Sequence, residues 1–149
     1  MATTPFRPQV GPSRWRGVEL REYKIEGSAP FRAVTRQVLF DDPALASQLR
    51  YFEVAPGGHT TLERHEHPHA VVVQRGAGRC LIGDCVYDLA EHDLVYVPAL
   101  TWHQFCARAD CPLGFLCMVN AVRDRPQLPS AEDLARMRES PEVAAFIAL

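Results

Sequence analysis

The sequence predicts an all-β fold, a β-sandwich or small barrel, from three observations. Short runs rich in Val, Ile, Leu and Phe recur at close spacing between residues 31 and 119. Twelve prolines and nine glycines, spread along the chain, cut those runs to strand length. The stronger helix signals are confined to residues 130–149.

Each element has its own reason. Residues 1–17 carry Pro5, Pro8, Gly11 and Pro12 and read as an irregular arm. Val18–Ile25 alternates apolar and polar residues, and Phe31–Phe40 holds the β-branched run Ala33–Phe40; both read as strands. Asp42 and Pro43 cap a short helical turn over Ala44–Leu49. Leu49–Val54 resumes as strand, and Ala55-Pro56-Gly57-Gly58 reads as a turn. Ala70–Arg75 is a buried strand, which Gly76-Ala77-Gly78 is expected to turn. Arg79–Ile82 and Cys85–Leu89 flank Gly83-Asp84, a hairpin signal. Asp93–Val97, Trp102–Ala107 and Leu113–Val119 complete the strands. Two short helices follow, the first opened by Ser130 with Asp133 as a capping box, the second by Ser140-Pro141.

With 149 residues, 47% apolar and 23% charged, the chain has the composition of one soluble domain spanning residues 1–149. Its barrel core is expected at about 31–120 and its helical tail at 130–149. A net charge of -2 argues against a nucleic-acid or membrane surface. No apolar run is long enough to span a membrane and Met1–Val10 shows no signal peptide, so a cytoplasmic protein is expected. The cysteines, Cys80, Cys85, Cys106, Cys111 and Cys117, are odd in number and lie mostly in strand-like runs, which predicts reduced thiols.

The chemistry concentrates in Glu63-Arg64-His65-Glu66-His67-Pro68-His69. Glu63, His65, His67 and His69 recur every second residue, so an extended strand would present all of them on one face. Imidazoles and a carboxylate converging on one spot make a site for a divalent metal such as Mn(II), Fe(II), Ni(II) or Zn(II). His59 and His92 are expected in turns, as surface histidines.

Gly57–Val119 resembles the cupin family, whose first motif is a glycine, five residues, His-x-His, three or four residues, Glu, six residues and Gly. Gly57, Glu63, His65, His69 and Gly76 fall on that frame without a gap, with Glu63 in place of the first histidine and His69 in place of the glutamate. The second motif, glycine, five residues, Pro-x-Gly, two residues and His, reads His92, Pro98, Leu100 and His103. The resemblance implies a double-stranded β-helix, the jelly-roll barrel of cupins, with the metal held by Glu63, His65, His69 and His103. An alternative frame pairs His65 with His67 and demotes Glu63; the first frame keeps both glycines in register.

Further segments, among them Thr35–Phe40, Leu49–Glu53, Leu62–His69, Trp102–Phe105, Leu113–Cys117 and Asp124–Pro129, are similar to a group of small bacterial cupins. That group includes enzymes that remove the methylthio group of a methylthioxylulose phosphate in methylthioadenosine salvage. What the resemblance implies is a metal that polarises a ketose carbonyl, Cys117 as nucleophile on the methylthio sulfur, and an external thiol that regenerates the enzyme. Cys117 alone also reads as a small buried residue. Cys106 is offset from His103 by an odd number of positions and is expected on the opposite face; Cys80 and Cys85 read as structural. Arg36, Arg50 and Trp102 are the substrate-binding candidates, Trp102 reading first as a barrel-wall aromatic, with Lys24 and Arg64 as further cations for a phosphate. A metal-dependent dioxygenase and a non-catalytic small-molecule binder are the competing readings, and a homodimer is the expected assembly.

Overall fold

A computed structural model describes residues 4–149; the first three residues of the expected arm lie outside the described residues. Ten strands and two helices follow in chain order. The arm is not wholly irregular, because β1 (Gln9–Gly11) and β2 (Arg14–Trp15) pair as a small hairpin. The strand expected over Val18–Ile25 shrinks to β3 (Arg21–Glu22). It pairs only with Arg36 and Thr35 of β4 (Arg32–Phe40) and ends the sheet as a short edge. A 3-10 turn, Pro43–Leu45, follows with Asp42 accepting from the Ala44 N–H, as its cap-and-proline pattern predicts.

Two expected turns are not turns. β5 (Ser47–His59) runs straight through Ala55–Gly58, and β6 (His69–Ile82) runs through Gly76–Gly78. The glycines bend these strands without ending them: Gly57 and Gly76 both have φ near +74°, at 74 and 73. The bends let each long strand serve both layers. β6 pairs with β8 (Leu94–Val97) through His69–Val72, and with β7 (Cys85–Ala90) and β9 (His103–Ala107) beyond Gly76. β5 pairs with β10 (Leu113–Asn120) over Ser47–Val54 and with β9 at His59. Since β10 also pairs with β6, the ring β5–β10–β6–β9 closes on itself. The sheet is a closed barrel, as the sequence predicts.

Gly76 also permits a close approach. A Cβ there would stand 1.8 Å from the Pro112 carbonyl oxygen, and the backbone is left-handed besides. Gly76→Ala is therefore expected to destabilise the fold by about 3 kcal/mol or more, read as a lowered urea midpoint.

The barrel interior holds Phe52, Val54, Val71, Val73, Leu113 and Phe115 at one end. The predicted helices, α1 (Ala131–Met137) and α2 (Pro141–Phe146), dock outside it. The Ser130–Asp133 capping box forms, and Val143 and Phe146 bury against Leu62 and Leu81. Helices this short gain stability from that apolar contact rather than from their own hydrogen bonds.

Candidate metal centre and active site

The histidine cluster lies in a loop, not in the strand that its spacing suggests. Glu63 and Arg64 make only isolated bridges, to His103 and Gln127, and β6 begins at His69. The convergence is instead built by backbone anchors. Glu63 and His103 exchange two backbone hydrogen bonds, of 3.2 and 3.0 Å, and the His65 carbonyl accepts from the Leu100 N–H at 2.7 Å. His103 opens β9, so the loop is pinned to the start of a barrel strand.

His65, His69 and His103 come together, each offering a ring nitrogen within 4.8 Å of the others. Their tautomers suit a metal. The His65 Nδ1–H donates to the His67 carbonyl at 2.6 Å and the His103 Nδ1–H to the Thr101 carbonyl at 2.9 Å. A carbonyl only accepts, so each proton is fixed on Nδ1 and each Nε2 lone pair is free. His65 Nε2 lies 2.8 Å from His69 Nε2. Three imidazoles gathered within that span, two of them with a free Nε2 lone pair, are compatible with a divalent metal, and the residues fit one.

Glu63 lines the same cavity, but its carboxylate is engaged by Lys24 and stands beside the three-histidine set. His67 is held differently. Its ring stacks on that of His65 at 3.7 Å with an interplanar angle of 3°, and its Nδ1 pairs with Asp124 Oδ1 at 2.7 Å. Lone pairs lie in the ring plane, so two parallel stacked imidazoles cannot aim at one ion.

Burial, then the fields of His103 and His67, lower the His65 pKa from 6.5 to about 4. Burial lowers His69 and His103 as well. Below pH 6.5 the unfolded chain binds protons on these rings that the folded chain refuses, so stability is lost as pH falls. For chelated protein we expect the unfolding free energy, and with it the urea midpoint, to drop between pH 6.5 and about 4, the free energy by roughly 1.4 kcal/mol per pH unit for each ring still neutral. A midpoint that stays flat across that window would contradict the neutral triad.

Cys117, buried on β10, faces this cavity. Its Sγ lies 2.8 Å from His69 Nδ1 and 3.6 Å from Arg50 Nη2. Register places it there, because Cys117 pairs directly with Arg50 across β10 and β5. Burial pushes its thiol above the ordinary pKa; Arg50, by its charge and its hydrogen bond, pulls the other way with smaller effect. Cys106 faces away as expected, packing in the cluster under the helices. All five cysteines are unpaired.

The cavity, of about 210 Å³, has room for a small metabolite and not for a macromolecule. Arg36 and Arg50 line it. Trp102 does not: it packs with Leu62, Leu81 and Val143 outside the barrel, under the Arg64 guanidinium 4.4 Å from its ring centroid. Its position next to His103 puts it on the other face of the chain, which corrects its expected substrate contact and takes Arg64 away from the cavity too. His59 is the half-buried end of β5 rather than a turn residue, whereas His92 does occupy a turn, at φ 76. Sequence reasoning missed Arg123, Tyr23 and Asp124 as cavity residues. Asp124 accepts from the Glu66 N–H at 2.7 Å and the His67 N–H at 3.1 Å. These bonds, that from Glu66 foremost, hold its carboxyl well below the usual carboxylate range. The only signal for it was its place in Asp124–Pro129, one of the segments similar to small bacterial cupins.

Comparison with known proteins places this geometry among relatives. The profile described as a cupin domain matches residues 50–119. The 1-methylthio-D-xylulose 5-phosphate methylsulfurylase of Rhodospirillum rubrum is 58% identical over 143 residues, which cover 96% of this chain and 92% of that protein. Among solved structures, a cupin 2 conserved barrel domain protein from Rhodopseudomonas palustris is 55% identical, with a TM-score of 0.91 over 95% of this chain and 98% of its own. A cupin-2 domain from Rhodospirillum rubrum is 57% identical, with a TM-score of 0.86 over 96% of each chain.

Proposed function

This chain belongs to the cupin family, and we propose that it is a metal-dependent methylsulfurylase that converts 1-methylthioxylulose 5-phosphate to 1-deoxyxylulose 5-phosphate. The observation that carries the reading is the contact of Cys117 Sγ with His69 Nδ1 at 2.8 Å, which sets a nucleophile beside the histidine triad. Likeness to the methylsulfurylase over nearly the whole chain supports the substrate.

His65, His69 and His103 would hold the metal, and Glu63, whose carboxylate is paired with Lys24, would be the fourth ligand. We take the metal to be Mn(II), which suits a mixed nitrogen and oxygen set with positions left open. When bound, it supplies Lewis acidity toward a ketose carbonyl. With Nε2 given to the metal, His69 would carry its proton on Nδ1 and donate it to Cys117 Sγ. Arg50 adds a second donor and a positive charge on the other side of the sulfur. Both favour the thiolate against the effect of burial. The Cys117 thiolate attacks the methylthio sulfur. The C1–S bond breaks with its electron pair left on C1, and a new S–S bond forms to Cys117. A proton taken up at C1 completes 1-deoxyxylulose 5-phosphate. An external thiol then attacks the Cys117 methyl disulfide and restores the free cysteine.

The protein also works, on this reading, as a homodimer in the cytoplasm. Leu94, Tyr96 and Met118, exposed by 79%, 62% and 50%, lie on adjoining strands with Val72, an apolar face suited to a second copy. No helix of the described residues is long and apolar enough to cross a membrane, and unpaired thiols suit a reducing compartment. The test is to incubate purified protein with 1-methylthioxylulose 5-phosphate and a thiol without oxygen. Formation of 1-deoxyxylulose 5-phosphate is expected. Turnover that requires O₂ would favour the dioxygenase instead, and no turnover under either condition the non-catalytic binder.

A further inference from the structure

The cavity carries positive charge that its own carboxylates do not neutralise. Lys24, Arg36, Arg50 and Arg123 line it, against Glu63 and Asp124. Lys24 is taken by Glu63, and Asp124 by His67. The three arginines are left with no carboxylate in ion-pair contact among the described residues; Asp41 acts on Arg123 only through space.

Their donors are also largely unused. The Arg36 guanidinium makes no hydrogen bond among the described residues, and the Nε atoms of Arg36 and Arg50 are buried without a partner. Arg50 spends one Nη on Cys117 and rests on the Phe52 ring, 4.8 Å from its centroid. Arg123 gives one bond, to the Asn120 carbonyl at 3.0 Å. Arg50 is buried and Arg36 half-buried, and cations withdrawn from water with free donors are costly unless an anion completes them. Burial, then the field of Arg50, lowers the pKa of both Arg36 and Arg123.

Strand register gathers these groups. Arg36 pairs with Phe52 on β5, so it shares a face with Arg50 two residues away. Arg50 pairs with Cys117, and Arg123 arrives in the loop that follows β10. Cys117 therefore touches both the triad, through His69, and the arginine group, through Arg50.

We propose that Arg36 and Arg123 form a phosphomonoester subsite, with Arg50 shared between that anion and Cys117. This rests on the sugar-phosphate reading above and adds how the chain recognises its substrate. The forked donors of arginine match phosphate oxygens two at a time, as lysine cannot. A ketose phosphate would lie with its carbonyl toward the triad, its first carbon at Cys117 and its phosphate on Arg36 and Arg123. Arg123 sits next to Asp124, which ties the same loop to His67. The loop thus joins the phosphate end of the site to the histidine end.

The test is calorimetric titration of the metal-loaded protein with D-xylulose 5-phosphate and, separately, with D-xylulose. Arg123→Gln and Arg36→Gln are each expected to weaken xylulose 5-phosphate by on the order of ten- to a hundredfold and to leave xylulose unchanged. Arg36→Lys, which keeps the charge but loses the fork, is expected to fall between wild type and Arg36→Gln. Arg123 is exposed, so its variant carries the test even if Arg36→Gln does not fold. Wild-type affinity for xylulose 5-phosphate in both Gln variants would overturn the subsite, as would equal losses for both ligands. Arginine-dependent binding without methylthio transfer would leave the subsite standing and remove the reaction. Transfer with an unchanged KM in both variants would do the reverse.

Discussion

Cys117→Ser is expected to abolish methylthio transfer while leaving the bound metal in place. Sulfur attack on sulfur needs a polarisable thiolate, and a serine hydroxyl beside His69 would neither ionise nor form the S–S bond. Loss of a nucleophile costs on the order of 10⁴-fold or more in kcat. The substitution is nearly isosteric, and Cys117 is outside the three-histidine set, so metal content should match wild type. Turnover retained at even a tenth of the wild-type rate would remove Cys117 from the chemistry. Burial holds the thiol protonated in the absence of metal. Chelated protein should therefore also react slowly with a small alkylating reagent at neutral pH, and metal-loaded protein faster.

Removing a proposed metal ligand is the second large effect. His103→Ala is expected to lose the metal, all turnover and a substantial part of the stability. A metal present at a thousand times its Kd stabilises the folded state by about 4 kcal/mol. His103 also fixes the histidine loop by its backbone bonds to Glu63, which the alanine keeps, so loss of metal can be read apart from loss of the loop. Glu63→Ala is expected to weaken metal binding by on the order of ten- to a hundredfold. His67→Ala is expected to retain the metal, because its ring lies parallel to that of His65. Metal analysis of the purified variants separates these cases. Metal kept in Glu63→Ala and lost in His67→Ala would favour the frame that pairs His65 with His67.

The barrel was legible in the sequence because strand-length apolar runs and the Gly83-Asp84 hairpin are local signals. The bends at Gly57 and Gly76 were not. A glycine with φ near +74° serves a turn or a bulge equally well, and only the strand's partners beyond it decide which. The three histidines of the candidate metal centre were legible for a reason that proved incomplete. Spacing by two suggested one strand face, yet His65 and His67 lie in a loop, and backbone bonds to Leu100 and His103 bring the rings together. As a substrate contact Trp102 was misplaced, because neighbours on an extended chain face opposite ways and His103 already faces the cavity. Arg123 carried no pattern of its own and Asp124 only the resemblance of its segment; they matter because β10 delivers the following loop to the cavity mouth. Pairings between distant strands set those positions, and single-residue periodicity does not encode them.

The most direct test is the mass of the intact chain after one turnover on 1-methylthioxylulose 5-phosphate with no external thiol. One methylthio group should be gained per chain, on the peptide that carries Cys117, with one equivalent of 1-deoxyxylulose 5-phosphate released. Added thiol should then remove the group and restore turnover. Release of 1-deoxyxylulose 5-phosphate from a chain whose Cys117 remains unmodified would contradict covalent transfer to this cysteine.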